Sequence, residues 1–320
     1  MTIINTVRGP IADTELGVTL MHEHVFVMNP EMVLNYDDFD ERERQDEAVK
    51  MLDKAVGNGV GTIVDLTVLG LGRYIPRVQK VADRTSANII AATGFYTYND
   101  LPVYWHLRPK RDGGADPLTT MFVRDVVDGI GDTGVKAGIL KCATDWAGVT
   151  PAVERILRAV AQAHRETGVP ISTHTGEDIG MYGADQQRIF AEEGVDLTRV
   201  VIGHASAAPL DVLLDFVDKG SFVGIDHLGA TNVPGFPDDD ERLRNVVALC
   251  ERGYASHVVL SHDASCWQHH TEPMDLPDHH FSHIPTKIVP NLLDRGVSQK
   301  DIDTMLIDNP RRILAHQGPY

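Results

Sequence analysis

Short runs of apolar, β-branched residues recur along the 320-residue chain, and longer stretches whose apolar positions return every three or four residues lie between them. Eight of the short runs read as strands: LMHEHVFV (20–27), GTIVDLT (61–67), NIIAATGFY (88–96), VKAGILKCA (135–143), VPISTHT (169–175), VVIGHAS (200–206), FVGIDH (222–227) and HVVLSHD (257–263). The fourth connection is the clearest helix. Thr150 offers a cap, Pro151 takes the first helical position, AVERILRAVAQAHRET carries an apolar face, and Gly168 closes it. IPTKIVPNLLDRG and SQKDIDTMLIDNPRRILAH predict two more helices near the C-terminus. Strands alternating with helices require a parallel sheet, and eight of them predict a (β/α)8 barrel formed by residues 1–320 as one domain. The rival, an open doubly wound sheet, usually carries a glycine-rich phosphate turn after its first strand. Here that strand ends in His22-Glu23-His24 instead.

Side chains alternate along a strand, so His22 and His24 share one face while Met21, Glu23 and Val25 share the other. Lys141, His174, His204 and Asp263 stand at the ends of strands four, five, six and eight, and such ends form the mouth where barrels of this kind build their sites. Four neutral imidazoles and a carboxylate are a natural ligand set for zinc, iron, cobalt or manganese, and exceed what one tetrahedral ion takes. A two-metal centre is the economical reading. Lys141 has two readings: a buried cation paired with Asp263, or an amine that has taken up carbon dioxide and become an anionic ligand. Alternation puts His262 on the outer face as a core histidine and turns Cys142 toward the helices. The doublets His269-His270 and His279-His280 are expected to be solvated loop residues, and Asp65 with Arg73 to form a structural ion pair.

Composition narrows the function classes. Hydrophobic residues make up 42% and charged residues 23%, with no apolar run long enough to span a bilayer, so no membrane partner is expected. The start MTIINTVR lacks a basic region followed by an apolar core, which places the expected protein in the cytoplasm. A net charge of −17, from 46 acidic and 29 basic residues, with no basic stripe, argues against nucleic acid. The three scattered cysteines, Cys142, Cys250 and Cys266, suit small buried hydrophobes better than a disulfide framework.

Taken together, the H-x-H of the first strand, Lys141 in AGILKCATDWAGVT, His174 in ISTHT, His204 in VIGHAS and Asp263 in LSHDAS resemble the phosphotriesterase family of the amidohydrolase superfamily, the likeness running from NTVRGPI to LIDNPRRIL. GFYTYNDLPVY resembles the phosphotriesterase-like lactonases, with Tyr96 where organophosphate hydrolases tend to have tryptophan. That resemblance implies a homodimeric hydrolase of N-acyl-homoserine lactones or related lactones, a quorum-quenching activity, with weak phosphotriesterase side activity. It implies that His22, His24 and Asp263 hold the more buried of two divalent ions, His174 and His204 the more exposed, and N6-carboxylated Lys141 bridges them. The ions are zinc, or cobalt, iron or manganese. Such a pair lowers the pKa of a bridging water toward about 7, and Asp263 would take its proton. Tyr96 would orient the lactone ring. Many of these lactonases have Leu-Asp-Arg at the end of strand seven, whereas this chain has Ile225-Asp226-His227, a smaller side chain in the pocket. Trp267, Met274 and Phe281 in the loop after strand eight either line an acyl-chain channel or are incidental apolar residues of a structural loop. Two alternatives keep the enzyme and change the substrate: an aryldialkylphosphatase proper, or an amidohydrolase of cyclic amides. A third is a metal-holding barrel without catalysis, against which the complete ligand set stands.

Overall fold

In the computed structural model, which describes residues 2–36, 39–110, 113–176, 178–231, 233, 237–269, 276–315 and 318–320, the chain opens with an antiparallel hairpin, β1 (Ile3–Thr6) and β2 (Gly9–Ala12). Nine further strands follow: β3 (Val18–Val27), β4 (Val60–Asp65), β5 (Asn88–Gly94), β6 (Ile139–Thr144), β7 (Ile171–Thr175), β8 (Val200–Ile202), β9 (Phe222–Ile225), β10 (Val258–Leu260) and β11 (Ser265–Gln268). They form one sheet in the order β10-β9-β8-β7-β6-β5-β4-β3-β11, every pair parallel. β11 continues the chain of β10 after four residues, yet pairs with β3 at the opposite edge, so the sheet closes on itself as a TIM barrel. Backbone bonds complete that seam: Asp263 N–H donates to His22 O (3.0 Å) and His24 N–H to Ala264 O (2.9 Å).

The eight expected strands are those of the barrel, with shorter boundaries at several ends. The last residues of the predicted runs at β8, β9 and β10 leave the ladder and carry His204, His227 and Asp263 at the mouth, whereas β3 and β7 run to the predicted ends at Val27 and Thr175. The helix Pro151–Thr167 begins and ends where the sequence places it: Thr150 Oγ1 accepts from Val153 N–H (3.2 Å), and Gly168 takes the left-handed conformation at φ 75°.

Two apolar layers follow from strand alternation. Val64, Ile90, Ile139, Val201 and Val259 fill the lumen below the mouth, while Ile63, Ile89, Leu140 and Ile171 pack outward with the helices. Cys142 joins the outer layer, as its neighbour Lys141 points inward. The first strand departs from the simple pattern. A register irregularity lies between Leu20 and Glu23, so Met21 joins the luminal cluster and Leu20 the outer one, although His22 and His24 still both face the mouth. Among the described residues no helix is long and apolar enough to cross a membrane.

Candidate metal centre

A cavity of about 320 Å³ opens at the C-terminal ends of the strands and is lined by His22, His24, Lys141, His174, His204 and Asp263. The six residues read from the sequence as ligands therefore meet in one place. Close backbone approach makes this possible. A Cβ on Gly203 would lie 2.0 Å from Thr173 O, and one on Gly94, whose φ is 142°, would lie 1.8 Å from Lys141 O. Among the described residues, His204 and Asp263 are the non-glycine residues with positive φ, at 58° and 57°. Both belong to the set read from the sequence as ligands, and backbone held in this costly region concentrates at functional sites.

Each imidazole spends one ring nitrogen on the protein and turns the other toward the cavity. His22 Nδ1 is 2.7 Å from Asp226 Oδ2, and His204 Nδ1 is 3.0 Å from Oδ1 of the same carboxylate, which also accepts His204 N–H at 2.9 Å. His24 Nδ1 bonds Thr67 Oγ1 at 2.8 Å, and its Nε2 lies 3.1 Å from Asp263 Oδ1. His174 Nε2 is held by Asp145 Oδ2 at 2.6 Å, leaving Nδ1 facing Tyr96. Outer partners of this kind fix the ring's tautomer and orientation, which is what a metal-ligating histidine requires. His22, His24 and Asp263 each offer a ligand atom within 4.8 Å of one another, as do His204, His227 and Asp263. The donor set fits divalent cations.

Charge states agree with ligation. Burial pushes His22 down to about 4 and lowers His174 and His204, so these three imidazoles are neutral at physiological pH. Burial by itself would raise the Asp226 carboxyl, but His204 and His22 hold it well below the usual range. Lys141 is 1% exposed, and burial brings its ammonium down to about 8 against the pull of Asp263 and Asp226. Its Nζ lies 2.8 Å from His22 Nε2 and donates to Thr173 O at 3.0 Å.

The remaining assignments divide. Tyr96 and His227 line the cavity: the Tyr96 hydroxyl is 3.4 Å from His174 Nδ1 and bonds the Tyr98 hydroxyl, and the His227 ring stacks on His204 at 4.3 Å with Nε2 3.6 Å from Asp263. Trp267 does not. On β11 the cavity takes Ser265 and Gln268, while Trp267 packs against Phe39 (4.9 Å) and beneath the Arg44 guanidinium. Phe281 is fully buried in the outer core, because the chain returns there to the helices, and Met274 and His270 lie outside the described residues. Arg73 pairs with Asp125 (3.0 Å) and not with Asp65, whose carboxylate accepts from Thr67 N–H instead. His262 is buried with both ring nitrogens bonded, as expected of a core histidine. His279 and His280 are half-buried and bonded, not solvated: His279 Nε2 bonds His262 O at 2.6 Å and His280 Nδ1 accepts from Ser282 N–H. His269 stacks on Trp267.

Sequence reading missed Asp226, Asp145, Thr67 and Tyr98. Asp226 carried a signal, an acid ending the otherwise apolar run FVGI and set between two candidate site strands. The others sit in loops whose course periodicity does not report.

Comparison with known proteins gives the same picture. The model of the phosphotriesterase family matches residues 2–314. The chain is 51% identical to the phosphotriesterase homology protein of Mycobacterium tuberculosis (strain ATCC 25618 / H37Rv), covering 100% of both chains. It is 36% identical to the aryldialkylphosphatase of Saccharolobus solfataricus (96% and 98% covered) and 29% identical to the N-acetyltaurine hydrolase of Xenopus tropicalis (97% of each). A solved structure of the phosphotriesterase from Mycobacterium tuberculosis superposes with a TM-score of 0.94 at 50% identity, covering 99% of this chain and 100% of the other. A TIM barrel carrying a metal-binding set of histidines and aspartate at its mouth, the chain belongs to the phosphotriesterase family of hydrolases.

Proposed function

We propose that the protein is a binuclear metal-dependent lactonase that opens lactones with an acyl tail, N-acyl-homoserine lactones in particular, and hydrolyses neutral phosphotriesters weakly. His22, His24 and Asp263 would hold one divalent ion, His174 and His204 the other, and Lys141, between the two groups, would bridge them as a carbamate. When bound, the ions supply Lewis-acid polarisation of the carbonyl and a nucleophile at neutral pH. The neutral fraction of the Lys141 amine supports the bridging role: its nitrogen adds to the carbon of carbon dioxide and one proton leaves to solvent.

Asp263 is the proton acceptor in this reading. Its carboxylate reaches the cavity with 26% of its side chain exposed, takes the proton of the attacking water and returns it to the leaving alkoxide. His227, 3.6 Å from Asp263 Oδ2, offers that proton a second station. Tyr96 carries the lactone assignment. Burial raises its hydroxyl above the ordinary value, so it stays protonated and can donate to the ring oxygen or carbonyl from beside His174. Val27, Leu71 and Ile179 give the same cavity an apolar side for a tail.

The test compares kcat/KM for a long-chain N-acyl-homoserine lactone and an aryl dialkyl phosphate on one cobalt-reconstituted sample. The lactone is expected to lead by several orders of magnitude. A lead for the phosphate ester would move the assignment to the aryldialkylphosphatase reading, which the relative in Saccharolobus solfataricus favours. Failure of both would turn the search to amides, the bond named in the N-acetyltaurine hydrolases.

A further inference from the structure

Glu23 stands between two cavity-facing histidines but points away from the cavity, fully buried, and among the described residues no arginine or lysine pairs with it. The four hydrogen bonds of its carboxyl group all come from Ser261, His262 and Ala264, which flank Asp263. Ser261 Oγ donates to Oε1 at 2.8 Å, His262 N–H to Oε1 at 3.0 Å, and Ala264 N–H to Oε2 at 2.9 Å. His262 Nδ1 lies 2.6 Å from Oε1, and because Ile284 N–H donates to Nε2 of that ring (3.1 Å), Nδ1 carries the proton and donates as well.

The geometry follows from one backbone feature. A residue in the left-handed region turns the N–H groups on either side of it to a common side, forming a concavity that favours an anion. Asp263 at φ 57° is that residue, the N–H groups of His262 and Ala264 are the concavity, and the two oxygens of the Glu23 carboxyl group, which burial raises to about 8, are the acceptors in it. The same twist that aims Asp263 at His24 therefore aims its neighbours at Glu23.

Barrel closure does not need this carboxylate. The seam is already joined by Asp263 N–H to His22 O, by His24 N–H to Ala264 O and by the β11–β3 ladder. What Glu23 adds is specific to the turn 261–264. We propose that Glu23 is a positioning residue that holds Asp263 in its strained conformation and so keeps its carboxylate at the metal centre. The proposal rests on the hydrolytic reading above, in which Asp263 is both ligand and proton acceptor.

The experiment uses the full chain with Glu23→Gln, Glu23→Asp and Ser261→Ala. Glutamine keeps the size but sets an NH2 group against backbone donors, whereas aspartate keeps the carboxyl group on a shorter arm. The readouts are kcat and KM separately, and the visible spectrum and stoichiometry of bound cobalt, with folding checked by circular dichroism. In Glu23→Gln, kcat is expected to fall about ten- to hundredfold with KM within about threefold, with a changed cobalt spectrum, and Glu23→Asp is expected to recover part of both. A folded Glu23→Gln with unchanged kcat and cobalt spectrum would overturn the proposal, and so would a loss of thermal stability alone. If Glu23→Gln does not fold, Ser261→Ala decides by the same readouts, with a smaller expected drop in kcat. Should the wild type hydrolyse no ester, the hydrolytic reading fails separately, and the cobalt spectra of the variants still report whether Glu23 places Asp263.

Discussion

Where the barrel strands begin, Arg199 is 3% exposed and gives its guanidinium wholly to backbone, donating to the carbonyls of Arg312 (2.9 Å), Gly168 (3.2 Å) and Ala315 (2.7 Å). Asn309 at the same end donates to Ala255 O and Val258 O, and the Thr62 hydroxyl to Leu16 O. Where the strands finish, the groups that line the cavity are only half committed, although Glu23 and His262 behind them are fully bonded: His22, His24, His174 and His204 each give one nitrogen to the protein and turn the other to a cavity. Strain follows the same division, since among the described residues the non-glycine residues with positive φ, His204 and Asp263, both lie at the mouth. A polar group whose bonding is complete holds the fold together, and one whose bonding is left open toward a shared space is arranged for a ligand. The two ends separate stability from chemistry on geometry alone.

The widest break in that comparison comes from Asp263→Asn. It is expected to lower kcat/KM by about a thousandfold or more, with the far-ultraviolet circular dichroism retained, because the change removes both a ligand and the proton acceptor. Acid acts on the mouth next. Burial holds His22 at about 4 and His262 at about 3, below the ordinary 6.5. Between pH 6.5 and 4 the unfolded chain takes up protons that the folded chain refuses, so stability falls as pH falls through that window. Each of the two shifts is worth about 3 kcal/mol by pH 4. Glu23, which burial raises to about 8, holds a proton that the unfolded chain takes up only near 4.5, and offsets nearly half of that sum. In the metal-free protein the net loss is expected to reach about 3 kcal/mol by pH 4, read from denaturant midpoints, and bound metal should reduce it.

Asp226→Asn sharpens the comparison from beside the ligands. The carboxylate touches the outer nitrogens of two of them, and its replacement is expected to weaken metal binding or activity about ten- to hundredfold, measured by competition with a chelator. Arg199→Met tests the other end. Leaving three buried carbonyls without their donor is expected to cost about 2 kcal/mol of stability, with kcat/KM of the folded enzyme unchanged within about twofold. A loss of activity at full stability in that variant would break the division between the ends. The smallest effect is expected from Tyr96→Phe, a several-fold narrowing of the lactone preference with metal content intact.

The sequence already carried the six candidate ligand positions that meet in the cavity, because a period of two fixes which side chains share a face and because parallel strands all end at the same rim. It carried His262 too, by the same parity. Met21 escaped that rule, since an irregularity in β3 between Leu20 and Glu23 shifts the count by one, and nothing in LMHEH signals the shift. Arg73 was placed with Asp65 because they are close in sequence, whereas its partner Asp125 comes from a helix 52 residues later. Trp267 looked like a channel residue because the chain after strand eight reads as a loop. Instead it returns to extend the seam as β11, and pairing with β3 sends the indole outward. Residues in contact across closed topology, such as Asp226 with His22, or Glu23 with Ser261, are separated by 204 and 238 positions and have no local pattern to betray them.

The central claim, that the half-committed groups at the mouth form one metal centre, is tested most directly by a crystal structure of metal-reconstituted protein with diffraction recorded on both sides of the metal's absorption edge. The account predicts two anomalous peaks inside the cavity, one among His22, His24 and Asp263 and one beside His174 and His204, with density extending from Lys141 Nζ between them. A cavity without peaks in active protein, or metal bound elsewhere on the chain, would contradict it.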